Sequence, residues 1–296
     1  MAAIRPHLRL PWRLAKQPAN SRMGSRRFRM LALTSTQLSS AVDDLRTGLS
    51  SWRLSHFLAW QDVKQRYRRS TLGPIWMTLS FGIQIFTMGF LSAFLFGSEL
   101  AKSFPYVCAG MLLWALITQT INDGAGLFVA SARYITQIKC PLTVFLLQTL
   151  WRNLIIAGHN LAIYVAIALY FVVVPSPSMV LWPLGLLLVV LCLSWIALVA
   201  AVISARYRDV PLMITNIITV LFWVTPLMYF PEQLGQKRFI ADYNPFTHMI
   251  ALVREPLLGG TPTLNDWLVV LAIAVIGWAV TFLFFARFRS RIVYWL

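Results

Sequence analysis

A chain of 296 residues that is 58% hydrophobic and 12% charged, with a mean hydropathy of +0.67, carries too little polar surface to fold as a soluble protein. Its net charge of +16 would suit a nucleic-acid binder, but 14 of its 26 Lys and Arg fall in residues 1–73, ahead of the first apolar stretch. That is the charge bias of a polytopic membrane protein, and Cys108, Cys140 and Cys192, scattered singly with no metal spacing, exclude a thiolate site.

Residues 1–50 read as a basic, disordered cytosolic tail. The first 42 residues hold no acid and no apolar core of signal-peptide length, which argues against a targeting segment, and Met23 and Met30 are alternative starts. Residues 51–73 follow as an amphipathic helix. At 100° per residue Trp52, Ala59, Trp60, Val63 and Tyr67 share one face, while Asp62, Lys64, Arg66, Arg68 and Arg69 occupy the rest. Such a helix lies in the membrane interface, and Gly73-Pro74 breaks it before an uncharged run.

Residues 74–296 contain six stretches long and apolar enough to cross a hydrocarbon core of about 30 Å. They are 74–96, 106–123, 154–174, 179–204, 212–230 and 267–285, with Trp151, Arg152 and Asn153 as an interfacial approach to the third. The segments on one side of this arrangement hold 21 Lys and Arg and those on the other hold four, which puts both termini in the cytoplasm. Segment 231–262 is too long for a turn and too apolar for a solvated loop. Met249, Ile250, Leu252, Val253 and Leu257 have helical spacing there, so a short re-entrant helix buried against protein is expected, with an interfacial helix lying flat as the alternative. The fold class is therefore an all-α integral membrane protein with six transmembrane helices, an N-terminal amphipathic interfacial helix and re-entrant external helices between spans five and six.

The chain contains no GxxxxGK[ST], HExxH, CxxC or GxSxG, so no nucleotide cradle, zinc site or nucleophile elbow is expected in it. Of its ten acids only Asp123 falls within a span, and Thr118, Gln119, Thr120 and Asn122 around it describe a polar, hydrated helix end. His159 and Asn160 would bond a neighbouring helix, and Arg152 would snorkel to the interface or meet an anionic headgroup. Phe86, Phe90 and Phe94 form an i, i+4, i+8 stripe, and Phe222, Trp223 and Tyr229 populate the fifth span. These rings suit helix packing or, alternatively, a path along which sugar C–H faces stack.

Four motifs resemble the membrane subunit of type-2 ATP-binding-cassette exporters, in the polysaccharide-export branch. They are DVKQRYRRSTLGPIW (62–76), SARYRDVPLMITNIITVLFWVTPLMYFP (204–231), YNPFTHMIALVREPLLGG (243–260) and RFRSRIVYWL (287–296), and RYITQIKCPL (133–142) loosely resembles the family's basic, aromatic cytoplasmic segment. The resemblance implies a homodimer in the bacterial inner membrane, paired with two copies of a separate ATPase subunit that binds ATP and Mg. The implied substrate is a lipid-linked polysaccharide of O-antigen, capsular or teichoic-acid type. It further implies that Phe86, Phe90, Phe94, Phe222, Trp223 and Tyr229 line the path, and that Arg66, Arg68 and Arg69 receive the lipid pyrophosphate or anchor to anionic lipid. Arg133, Tyr134, Ile135, Ile138, Lys139 and Pro141 would couple to the ATPase, and Tyr243, Asn244, Pro245, Arg254 and Glu255 would form an external gate. Two rival classes are a type-2 exporter of a drug or lipid, with a sparser aromatic lining, and an ATP-independent channel or membrane enzyme, which would need an ionisable cluster in the membrane that this sequence is not expected to assemble.

Overall fold

The computed structural model describes residues 35–67, 75–138 and 140–296, and every regular element among them is helical. Arg68, Arg69, Gly73, Pro74, Lys139 and residues 1–34, with Met23 and Met30, lie outside the described residues. The α-helices are α1 (Ser35–Ser50), α2 (Trp52–Tyr67), α3 (Ile75–Phe96), α4 (Leu100–Ala130), α5 (Ala132–Gln137) and α6 (Leu142–Tyr170). After a 3₁₀ turn at Pro177–Val180 come α7 (Leu181–Arg206) and α8 (Val210–Val224), then a second 3₁₀ segment at Pro231–Lys237. The chain closes with α9 (Phe239–Asp242), α10 (Pro245–Leu257) and α11 (Leu264–Trp295).

Five stretches, Thr78–Phe96, Leu100–Gln137, Leu142–Tyr170, Pro177–Arg206 and Leu264–Trp295, are long and apolar enough to cross a membrane. The segment expected as the fifth crossing behaves differently. Its helix α8 has 15 residues, about 22 Å at 1.5 Å each, and residues 225–230 continue it without helical structure. The boundary at 154 also moves: α6 begins at Leu142, so Trp151, Arg152 and Asn153 sit inside a helix and not on an interfacial approach to it. A charged residue reads as a boundary only until its partners are known, and Arg152 has two.

Residues 35–50 depart from the tail expected of them. They form α1, which buries Ala41, Asp44 and Gly48 at i, i+3 and i+7 against the start of α6. In α2 the face turned to the protein is Ser55, Ala59 and Val63, each at most 6% exposed, so Trp52 and Trp60 point away from it.

Helix α4 is the hub, with two thirds of its length buried against α3, α6, α7, α8 and α10. Close approach at two glycines sets the packing. A Cβ on Gly124 would lie 2.6 Å from Ala197 Cβ, and one on Gly185 would strike the Leu252 carbonyl, so α7 meets α4 and α10 at small-residue contacts. One hydrophobic cluster fills the middle of the bundle around Val107, Cys108, Ile117, Leu193 and Leu252. A second joins Ala41, Phe128, Ile135, Leu146, Leu198, Phe285 and Ile292 at the α5 end.

Candidate functional site

The α5 end is built from the turn between α4 and α6. Tyr134 and Ile138 are 59% and 57% exposed, whereas Ile135 is 8% exposed and packs into the second cluster with Ala41 and Leu142. Helical spacing explains the split, because Tyr134 and Ile138 are four apart and share the outer face. Arg133 is exposed beside them and Pro141 is half-buried at the start of α6. The loop thus presents Arg133, Tyr134 and Ile138 outward, and Ile135 secures it from beneath. Arg66 of α2 is exposed as well.

Between α2, α4 and α6 lies an ion cluster. Arg152 Nη1 donates to Asp62 Oδ2 at 3.1 Å and its Nη2 to Asp123 Oδ2 at 2.9 Å, while Gln148 Nε2 donates to Asp62 Oδ2 at 2.8 Å. Two carboxylates therefore share one guanidinium, fastening α2 to the bundle. Arg152 neither snorkels nor waits for a headgroup, and Asp123 is not a merely hydrated helix end. The chain does assemble an ionisable cluster, contrary to the sequence reading. Nearby, Asn153 Nδ2 donates to Thr120 Oγ1 at 3.3 Å and Thr215 Oγ1 to Asn122 Oδ1 at 2.9 Å, tying α6 and α8 to the same polar stretch of α4. His159 does not reach a neighbouring helix: its Nδ1 lies 2.8 Å from the Ile155 carbonyl one turn back.

At the opposite end of α4 the non-helical residues 225–230 are held by side chains. Arg254, 3% exposed, donates from Nη1 to the Pro226 carbonyl at 2.9 Å and stands 4.0 Å from the Tyr106 ring centre. Tyr106 Oη donates to the Pro226 and Tyr229 carbonyls at 3.4 and 3.3 Å, and Ser92 Oγ donates to the Met228 carbonyl. Asn244 caps α10 by accepting from the Phe246 N–H at 3.0 Å, and its Nδ2 donates to Thr225 Oγ1 at 2.9 Å. An irregular backbone buried among apolar helices requires such partners.

The five gate residues therefore divide. Asn244 and Arg254 are buried struts, whereas Tyr243 and Pro245 are exposed and Glu255 is half-buried, 3.5 Å from Arg254 Nε. Sequence reasoning missed His248 and Asp266 here. His248 Nδ1 lies 2.6 Å from Asp266 Oδ1 and its Nε2 2.8 Å from the Asp242 carbonyl, and Asp266 also closes a capping box with Thr263 at the start of α11. The Thr263-x-x-Asp266 spacing was the available signal.

The aromatic residues fall into two groups. Phe86 and Phe90 line a groove of about 570 Å³ with Phe104, Ile163, Tyr170 and Phe171, between α3, α4 and α6. Phe94 stacks on Phe90 at 6.5 Å and is 78% exposed. On α8, Trp223 is exposed, but Phe222 turns inward against Trp114 at 6.0 Å. Tyr229 donates its hydroxyl to the Val224 carbonyl at 3.0 Å and meets Phe96 at 5.9 Å. Among the described residues no ring contact joins the α3 stripe to Phe222 or Trp223, and no group of three or more metal-ligating side chains occurs.

Residues 54–258 match the family described as ABC-2 type transporter. Two proteins named O-antigen export system permease protein RfbA, both from Klebsiella pneumoniae, are 22% and 25% identical over 208 and 206 residues, each alignment covering 68% of this chain and 78% of the relative. A third of the same name, from Myxococcus xanthus, is 22% identical over 173 residues, 58% of this chain and 66% of its own length. The family match spans more than half of the chain and runs from α2 through the α5 loop to the end of α10, so the protein belongs to the ABC-2 type transporter family.

Proposed function

We propose that this chain is the membrane-spanning permease subunit of an ATP-driven exporter that moves a lipid-linked polysaccharide across the bacterial inner membrane. The observation that carries the reading is the family match over residues 54–258, together with the likeness to relatives named as O-antigen export permeases. In this reading two copies of the chain form the pore and two copies of a separate ATPase bind ATP and Mg. ATP-driven closure of the ATPase pair pushes on Arg133, Tyr134 and Ile138, and the helices on either side of the loop carry the push to the path. The Asp62–Arg152–Asp123 cluster suits a tether for α2 better than a proton relay, since both carboxylates are engaged by one Arg.

The chain crosses the membrane six times, α8 together with residues 225–230 serving as the fifth crossing and α10 as a re-entrant helix, with both termini in the cytoplasm. The side-chain bonds that satisfy the carbonyls of residues 226, 228 and 229 support this use of an irregular segment at membrane depth. Single cysteines at Ser176 and Gln236, in a background freed of native cysteines, are expected to react with impermeant thiol reagent from outside, and one at Ser290 to stay protected. Labelling of Ser290 from outside would reverse the topology.

Phe86, Phe90, Phe94 and Trp223 stack on passing sugars, while Phe222 packs within the protomer. Cells lacking the chain should lose surface polysaccharide and retain the lipid-linked polymer inside. Alanine at the four exposed positions should lower export while leaving thermal stability nearly unchanged. Alanine at Phe222 should instead open a cavity at a cost of about 3 kcal/mol. If the four exposed variants lose export only together with stability, the rings serve packing and the path lies elsewhere. Surface polysaccharide at the normal level in cells lacking the chain would remove the polymer-export reading altogether.

A further inference from the structure

Asp44 is 2% exposed, although it sits in a stretch that reads as tail. Its Oδ1 accepts from the Thr143 N–H at 3.0 Å and from Thr143 Oγ1 at 2.6 Å, and its Oδ2 from the Leu142 N–H at 3.2 Å and Arg289 Nε at 2.7 Å. Helix α6 starts after Pro141, whose side chain offers no cap, so the first N–H groups of α6 would otherwise lack partners. A carboxylate from α1 supplies the cap in trans, with charge of the sign that a helix N-terminus favours. The approach depends on Gly48, one turn further along α1, where a Cβ would lie 2.6 Å from Thr143 Cβ. Arg289 brings in α11, which also touches α5. Three elements, α1, the first turn of α6 and the end of α11, thus meet at one buried carboxylate, which stands close enough to the exit of the α5 loop to act on the Cys140 thiol.

We infer that Asp44 is a positioning residue for energy coupling: it locks the exit of the α5 loop to the first turn of α6, so that force applied at Tyr134 and Ile138 moves α6 and is not spent flexing the loop. Without the cap, residues 140–142 become a hinge between loop and helix, and the ATPase turns over with less transport. The inference rests on the permease reading. Burial, and then the charge of Asp44, raise the Cys140 thiol above its ordinary pKa, as expected for a half-buried residue close to that carboxylate.

Two readouts test it. In the full chain alone, a nitroxide on Thr136→Cys, with Cys140→Ser present and the other two cysteines buried, reports loop mobility, and Asp44→Asn should narrow its spectrum. In the complex with its ATPase, Asp44→Asn should still co-purify and hydrolyse ATP, but polymer exported per ATP should fall about fivefold or more. Arg289→Met, which removes one of the four bonds, should shift both readouts less and in the same direction. A merely structural role would lower assembly, hydrolysis and export together and leave their ratio alone. An unchanged ratio in Asp44→Asn, or in Arg289→Met if the first variant does not fold, overturns the inference, as does a label that stays immobile. Failure of the permease reading shows separately, as a wild-type complex without ATP-dependent export, and would take the inference with it.

Discussion

Replacing Arg152 with Met is expected to cost the chain about 3 kcal/mol of stability, at the lower end of what removing one partner of a buried ion pair costs because both carboxylates keep some exposure. The substitution keeps the length of the apolar stem and removes the side chain that bonds both Asp62 and Asp123. Two carboxylates are then left facing one another at the junction of α2, α4 and α6, and α2 loses its charged tether. Asp62→Asn with Asp123→Asn in the Arg152→Met background should recover most of the loss, since amides carry no charge to strand. Thermal unfolding in detergent reads both effects. A single variant as stable as the parent, or a triple variant no better than the single, would show that the cluster holds nothing in place.

The double substitution Tyr134→Asp and Ile138→Asp is expected to weaken ATPase binding by about 3 kcal/mol, roughly a hundredfold, because both side chains stand outward on the α5 loop and would carry unpaired charge into the contact. The exposed position of both residues predicts that the isolated chain keeps its stability. Ile135→Asp should do the opposite, since its charge would enter the cluster with Ala41 and Leu142 and damage the fold before any docking. Co-purification with the ATPase and thermal unfolding of the chain alone separate the two. An undiminished complex from the double variant would mean that another surface receives the ATPase.

The long helices were legible because hydropathy over about twenty residues dominates every other local signal in this chain. What stayed hidden depends on pairing across distance. Asp123 and Arg152 each look like a polar interruption until α4 and α6 bring them to 2.9 Å, and only then does α6 become one helix from Leu142. Asp44 lies in a sequence of low hydropathy that gives no reason to expect burial, since the groups that justify it come from residues 142, 143 and 289. The gate motif was visible as a unit, but not that Asn244 and Arg254 would turn inward to hold residues 225 and 226. The resemblance at 133–142 put Tyr134, Ile135 and Ile138 together as docking residues, and only the packing of Ile135 with Ala41 and Leu142 separates it from the outward pair. For the aromatic residues, periodicity placed Phe86, Phe90 and Phe94 on one face, and the contact of Phe222 with Trp114 was needed to separate it from Trp223.

In the proposed function, ATP bound on another chain drives transport of a lipid-linked polymer. The most direct test is a vesicle assay with the purified chain, its ATPase, and a lipid-linked polysaccharide labelled on the sugar and accessible at the face that carries the ATPase. The polymer should become protected from an added glycosidase only when the chain, the ATPase and hydrolysable ATP are all present, and the chain alone should neither bind nor hydrolyse ATP. Protection of the polymer by the chain without the ATPase, or saturable nucleotide binding by the chain on its own, would contradict the proposed function.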